Sequence, residues 1–137
     1  MTLEELKVYQ LAMEVGERVW AAVQGWDFFA KDTVGKQLVK AADSIAANLS
    51  EGYGRFHYNE NRHFGYYSRG SLFETRTWLT KAANRSLIPK EAHESFQRDI
   101  DVIGRMLNAY INSIGTGSQK VREDVADYHP DPLPNDQ

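Results

Sequence analysis

Between Gln37 and Arg55 the chain carries Leu38, Ala42, Ile45 and Leu49 at steps of four, three and four. That spacing stacks side chains on one face of an α-helix and is incompatible with the two-residue period of a strand. Ser44, Asn48 and Glu51 follow the same rhythm, so a polar stripe runs close to the apolar one. Gly52 and Gly54 then supply the conformational freedom a helix end requires. A helix of this kind must bury its stripe against other helices.

The rest of the chain provides them. From about Glu4 to Gln24, Leu6, Tyr9, Met13, Gly16, Trp20 and Val23 alternate at steps of three and four, and Val8, Ala12, Val15 and Val19 widen the face. A break at Gly25–Asp32 follows, with Asp32 or Thr33 placed to cap the second helix, expected from about Thr33 to Tyr53. The three aromatics of that break, Trp26, Phe28 and Phe29, are expected to plug one end of the assembly. A third helix is expected from about Asn59 to Asn84, with Phe64, Tyr67, Ser71, Glu74, Trp78 and Ala82 facing the core. Pro89 suits the first turn of a fourth helix, whose seam is Phe96, Ile100, Ile103, Leu107, Tyr110 and Ile114. The fold class expected is all-α: an antiparallel up-down-up-down four-helix bundle over residues 1–115. Residues 116–137, with three prolines among acidic residues, are expected to be an extended or disordered acidic tail.

Charge and composition narrow the function. Residues 1–115 hold 14 Lys plus Arg against 14 Asp plus Glu, so the whole net charge of -3 lies in the tail. A neutral body argues against coating nucleic acid through bulk charge, though a local basic patch is compatible with it. No run approaches the roughly 20 apolar residues of a membrane span, and the N-terminus has no secretory pattern. With no cysteine, neither a disulfide framework nor a thiolate metal site is open to the chain, and a cytoplasmic protein is expected.

Two groups of polar residues stand out. Counting outward from the turn near Arg55 places Asn48 opposite Phe64, Ala41 opposite Ser71, and Gln37 with Lys40 opposite Glu74. Glu51 or Glu74 could serve as a general acid or base if buried. No His or nucleophile falls beside either, so the preferred reading is structural: Gln37, Lys40, Ser44, Asn48, Glu51, Ser71 and Glu74 form a polar network that sets helix register. The second group is a ladder. Arg55, Arg62, Arg69 and Arg76 recur every seven residues, with Tyr66 and Phe73 interleaved on the third helix.

The ladder lies two residues out of phase with the Phe64–Trp78 stripe, so it is expected to point away from the core, and no acid lies three or four residues from Arg62, Arg69 or Arg76. Such a face fits a subunit interface, a solvated surface with Arg stacked on rings, or nucleic acid, and the neutral body ranks the interface first. Gly65, Ser68, Leu72, Thr75 and Leu79 form a further small or apolar surface, expected as surplus that favours a homo-oligomer. Glu60-Asn61-Arg62-His63 has the Glu-x-x-His spacing of di-metal bundles but occurs once and near a helix end. No metal site and no cofactor are therefore expected, the pair being read as solvated.

The run QLVKAADSIAANLSEGYGR, followed by GSLFETRTWLTKA from Gly70 to Ala82, resembles the bacterial 23S ribosomal RNA intervening-sequence protein family. The accessory variability proteins of diversity-generating retroelements belong to the same group. The resemblance covers about residues 3–115 and includes the opening LKVYQLA from Leu6 to Ala12. It implies a small helical bundle that assembles into a ring-like homopentamer, and with no catalytic constellation in the sequence a non-enzymatic scaffold or adaptor is expected. In the retroelement branch it further implies a reverse transcriptase partner and RNA or DNA bound through basic surfaces.

Overall fold

The computed structural model describes residues 1–116. All of the expected acidic tail but Thr116 therefore lies outside the described residues. Four long helices account for most of the chain: α1 (Lys7–Gln24), α2 (Lys36–Tyr53), α3 (Tyr58–Asn84) and α4 (Lys90–Ser113). A 3-10 turn, Leu3–Glu5, precedes α1, capped where Glu5 accepts from the Thr2 backbone N–H at 2.7 Å. That bond holds the Glu5 carboxyl below its ordinary pKa.

The break before α2 is shorter than the sequence suggests. Asp27, rather than Asp32 or Thr33, is the cap, its carboxylate accepting from the Ala30 backbone N–H at 2.9 Å. An α-helical turn, Phe28–Ala30, then leads through a π-helical turn, Lys31–Gly35, directly into α2. In that turn the Lys36 N–H reaches back to the Lys31 carbonyl, a bond spanning five residues instead of four. Phe28 and Phe29 do not plug the bundle: they are 81% and 76% exposed, while Trp26 packs against the core. Capping at Asp27 puts both phenylalanines on a helical turn that projects beyond the buried residues.

The core seam of α2 is the expected one, Leu38, Ala42, Ile45 and Leu49, joined by Ala41 and Ala46. On α1 the buried line is Val8, Ala12, Val15, Val19 and Val23, with Met13 and Trp20 exposed. On α4 it is Phe96, Ile100, Ile103, Leu107 and Ile111, with Ile114 just beyond.

The largest correction is on α3. Its buried line is Gly65, Ser68, Leu72, Thr75 and Leu79, the stripe that looked like surplus, continued by Ala82; of the residues expected to face the core only Ala82 is fully buried, while Tyr67 and Glu74 are exposed and Phe64, Ser71 and Trp78 half-buried. Small residues win this face because they let neighbouring backbones approach. A Cβ added at Gly65 would lie 2.7 Å from Ile111 Cγ1, and one at Gly52 would lie 2.7 Å from Phe64 Cβ. Contacts between α3 and α4 step up one helix and down the other, from Arg62–Ile114 through Arg69–Asn108 to Arg76–Asp101.

The α3–α4 connection closes with a left-handed residue. Ser86 has φ 58°, the Leu87 N–H bonds the Ala82 carbonyl at 2.8 Å, and the Ser86 N–H bonds the Ala83 carbonyl at 3.1 Å. This is a Schellman motif with serine where glycine is usual. Among the described residues no helix is long and apolar enough to cross a membrane.

Candidate functional site

Each arginine of the α3 ladder directly follows a buried polar residue: Arg62 follows Asn61, Arg69 follows Ser68, Arg76 follows Thr75. One residue is about 100° of helix rotation, so the ladder borders the core instead of pointing away from it. All three arginines consequently reach α4 or its C-cap residue, Ile114. Arg62 Nη2 donates to the Ile114 carbonyl at 2.7 Å and Nη1 to Asn59 Oδ1 at 3.1 Å. Arg69 Nη1 donates to Asn108 Oδ1 at 2.9 Å, and Arg76 Nη2 pairs with Asp101 Oδ1 at 2.6 Å. The expected lack of compensation holds only within α3; the acid for Arg76 comes from α4.

The interleaved rings cover these groups. Guanidinium carbons lie 5.4 Å from the Tyr58 ring for Arg62, 5.0 Å from Tyr66 for Arg69 and 6.0 Å from Phe73 for Arg76. Arg55 sits apart, at the α2–α3 turn. It bridges Glu51 and the buried Glu60, each at 3.0 Å, and lies 5.1 Å from the Phe64 ring. Glu60 is thus an ion-pair partner in the interior, not half of a solvated Glu–His pair. No group of three or more potential ligands for a metal occurs among the described residues.

The residues expected to form a network between α2 and α3 bond within their own helices. Ser44 Oγ donates to the Lys40 carbonyl at 2.7 Å, and Asn48 Nδ2 to the Ser44 carbonyl at 2.9 Å. Glu74 Oε2 accepts from Trp78 Nε1 at 3.2 Å, and the Ser71 carbonyl accepts from Thr75 Oγ1 at 2.7 Å. Glu51 turns to Arg55, while Gln37 and Lys40 are exposed. The α2–α3 crossing is instead bridged by Ser68, whose hydroxyl donates to the Ile45 carbonyl at 2.8 Å inside the core. Sequence reasoning also missed Arg18, which pairs with Asp99 and Ser95 and stacks 4.4 Å from the Phe96 ring.

Two surfaces remain exposed and unusual. On α3, Tyr66, Tyr67 and Phe73 surround Gly70, where an added Cβ would meet nothing within 4 Å. Between α1 and α2 a groove of about 490 Å³ is lined by Trp20, Val23, Gly35 and Val39, with Lys31, Lys36 and Lys40 beside them. Further along the same pair of helices Asp43 lies over Gly16, whose added Cβ would be 2.9 Å from Asp43 Oδ1. Desolvation, with Glu17 nearby, raises the Asp43 pKa above its ordinary value.

The 23S rRNA-intervening sequence protein model matches residues 4–109. A crystal structure of a protein of unknown function from the S23 ribosomal protein family of Bacteroides thetaiotaomicron shares the fold, with a TM-score of 0.68. It is 21% identical, and the match covers 76% of this chain and 97% of that one. No curated protein matches the chain. With the family model spanning all four helices but the last turn of α4, the chain belongs to the 23S rRNA-intervening sequence protein family.

Proposed function

We propose that the protein is a non-enzymatic scaffold or adaptor that self-associates through the outward face of α3. The observation that carries this reading is Gly70. Glycine inside a helix costs about 0.8–1 kcal/mol relative to alanine, and here the protein's own packing does not require it, since the position is open. Tyr66, Tyr67 and Phe73 around it are 44%, 57% and 57% exposed, an aromatic surround suited to the close approach of a second copy. The homopentameric ring implied by the family resemblance is the assembly expected from such a face.

Engagement of RNA, DNA or a reverse transcriptase belongs to the same proposal as a role of the assembled ring. Bonds from Arg62, Arg69 and Arg76 to α4 leave these guanidinium groups less available to phosphate, which favours protein contact over nucleic acid at this face. The test is native mass of the full chain beside Gly70→Leu and Tyr67→Ala/Phe73→Ala, with low-salt RNA and DNA retention measured separately. Loss of the oligomer in both variants, with helix content intact, supports the reading. An unchanged mass, or a monomeric parent chain, overturns it.

A further inference from the structure

The groove between α1 and α2 combines an apolar floor with a basic rim. Trp20, Val23, Gly35 and Val39 form the floor, and Lys31, Lys36 and Lys40 stand beside it. The π-helical turn creates this row, because its five-residue bond stacks Lys31 above Lys36, which an α-helical turn would leave apart. Asp32 lies 3.3 Å from Lys36, an exposed pair worth little. Lys31 and Lys40 have no ion-pair partner among the described residues. Trp20, part of that floor, is 52% exposed.

The chain carries its own complement. Residues 123–133 read Glu-Asp-Val-Ala-Asp-Tyr-His-Pro-Asp-Pro-Leu, with Glu123, Asp124, Asp127 and Asp131 interleaved with Val125, Tyr128 and Leu133. Acids fit the lysines, and the apolar side chains fit the floor.

Reach permits the match. Gly115, next to the last described residue, lies beside Tyr58 and Arg62, where an added Cβ would come within 3.0 and 3.1 Å of them, while one on Gly52 of α2 would lie 2.8 Å from Asn61 Oδ1. From the level of Gly52 to that of Val39 is about 20 Å along α2, and a comparable distance across the bundle makes a path of about 30 Å. Asp127 lies eleven residue steps beyond Thr116, and an extended chain of that length spans up to about 36 Å.

We infer that the groove is the docking site of the chain's own acidic segment, residues 123–133, held by Lys31 and Lys40 over an apolar floor made by Trp20 and Val39. The test uses the full chain with a nitroxide on Ala126→Cys, a unique thiol because the sequence has no cysteine. Expected is paramagnetic loss of amide intensity over Lys31–Lys40 and of the Trp20 indole signal. Lys31→Glu/Lys40→Glu should restore those intensities while the remaining amide spectrum stays unchanged. Intensities equal in parent and double variant overturn the inference. So does broadening confined to a mixture of isotope-labelled chain with separately spin-labelled chain, which would assign the segment to another copy. Because this readout is local to α1 and α2, it stands or falls independently of oligomer formation through α3.

Discussion

The Ser68 hydroxyl donates to the Ile45 carbonyl oxygen at 2.8 Å, with Ser68 entirely buried between α2 and α3. The carbonyl is already a helix acceptor, so this bond ties the α3 side chain to the α2 backbone without breaking the helical ladder. Ser68→Ala should cost about 1 kcal/mol, the usual net value of one buried hydrogen bond. Ser68→Leu should cost more, about 1–3 kcal/mol, by overpacking a seam set for small residues. Urea unfolding reads both as shifts in midpoint at constant slope.

Two glycines should respond with opposite signs. At Gly65 a new Cβ would sit 2.7 Å from Ile111 Cγ1, whereas at Gly104 the nearest atom, Leu72 Cδ2, is an ordinary 3.5 Å away. Gly65→Ala should destabilise by about 1–3 kcal/mol, and a double-mutant cycle with Ile111→Ala should show strong coupling. Gly104→Ala should stabilise by up to about 1 kcal/mol, through helix propensity alone.

Ser86 occupies the left-handed position of the Schellman motif after α3, at φ 58°. An L-residue there costs about 1–2 kcal/mol that glycine avoids. Ser86→Gly should therefore raise the thermal midpoint, since the gain in the folded state outweighs glycine's extra freedom in the unfolded chain. Calorimetry on the two chains checks the sign.

For Asp43 the folded pKa is raised, first by desolvation and then by Glu17. Between the ordinary Asp pKa and this higher value the folded state binds more protons than the unfolded, so stability falls as pH rises through that window. Above the window the ionised Asp43 opposes folding; below it the group contributes nothing either way. Asp43→Asn should consequently be the more stable chain at neutral pH, and its advantage should disappear under acid conditions. Paired denaturation curves across pH measure this.

The seam of α2, and that of α4 except at Tyr110, which is half-buried while its neighbour Ile111 takes the core position, were legible in the sequence because Leu, Ile, Ala and Phe dominate these stripes. On α3 two stripes one residue apart compete, Phe64–Tyr67–Ser71–Glu74–Trp78 and Gly65–Ser68–Leu72–Thr75–Leu79. Bulk favours the first in a sequence reading. Packing chose the second, because Gly65 lets α4 close on α3 and Ser68 lets α2 do so. The same bias placed Met13 and Trp20 inside on α1, where the valines belong.

Once the α3 phase is shifted by one residue, the other differences follow from it. The arginines move from the far side to the flank of the core, where α4 carbonyl, amide and carboxylate groups meet them. The polar residues of α2 lose their facing partners and bond along their own helix. The Glu51–Arg55 pair could have been read from its four-residue spacing alone.

The five-residue bond of the Lys31–Gly35 turn takes up one residue more than an α-helical turn would hold. Loss of one residue there would turn it into an ordinary four-residue bond, with the α2 seam and the Phe28–Ala30 turn keeping about the same angular positions. Relatives shorter by a single residue between Lys31 and Gly35 would therefore retain both the α2 core and the exposed phenylalanines at the tip of the bundle. A gap at that point in a comparison of sequences thus records a tightened turn, not a loss of helix.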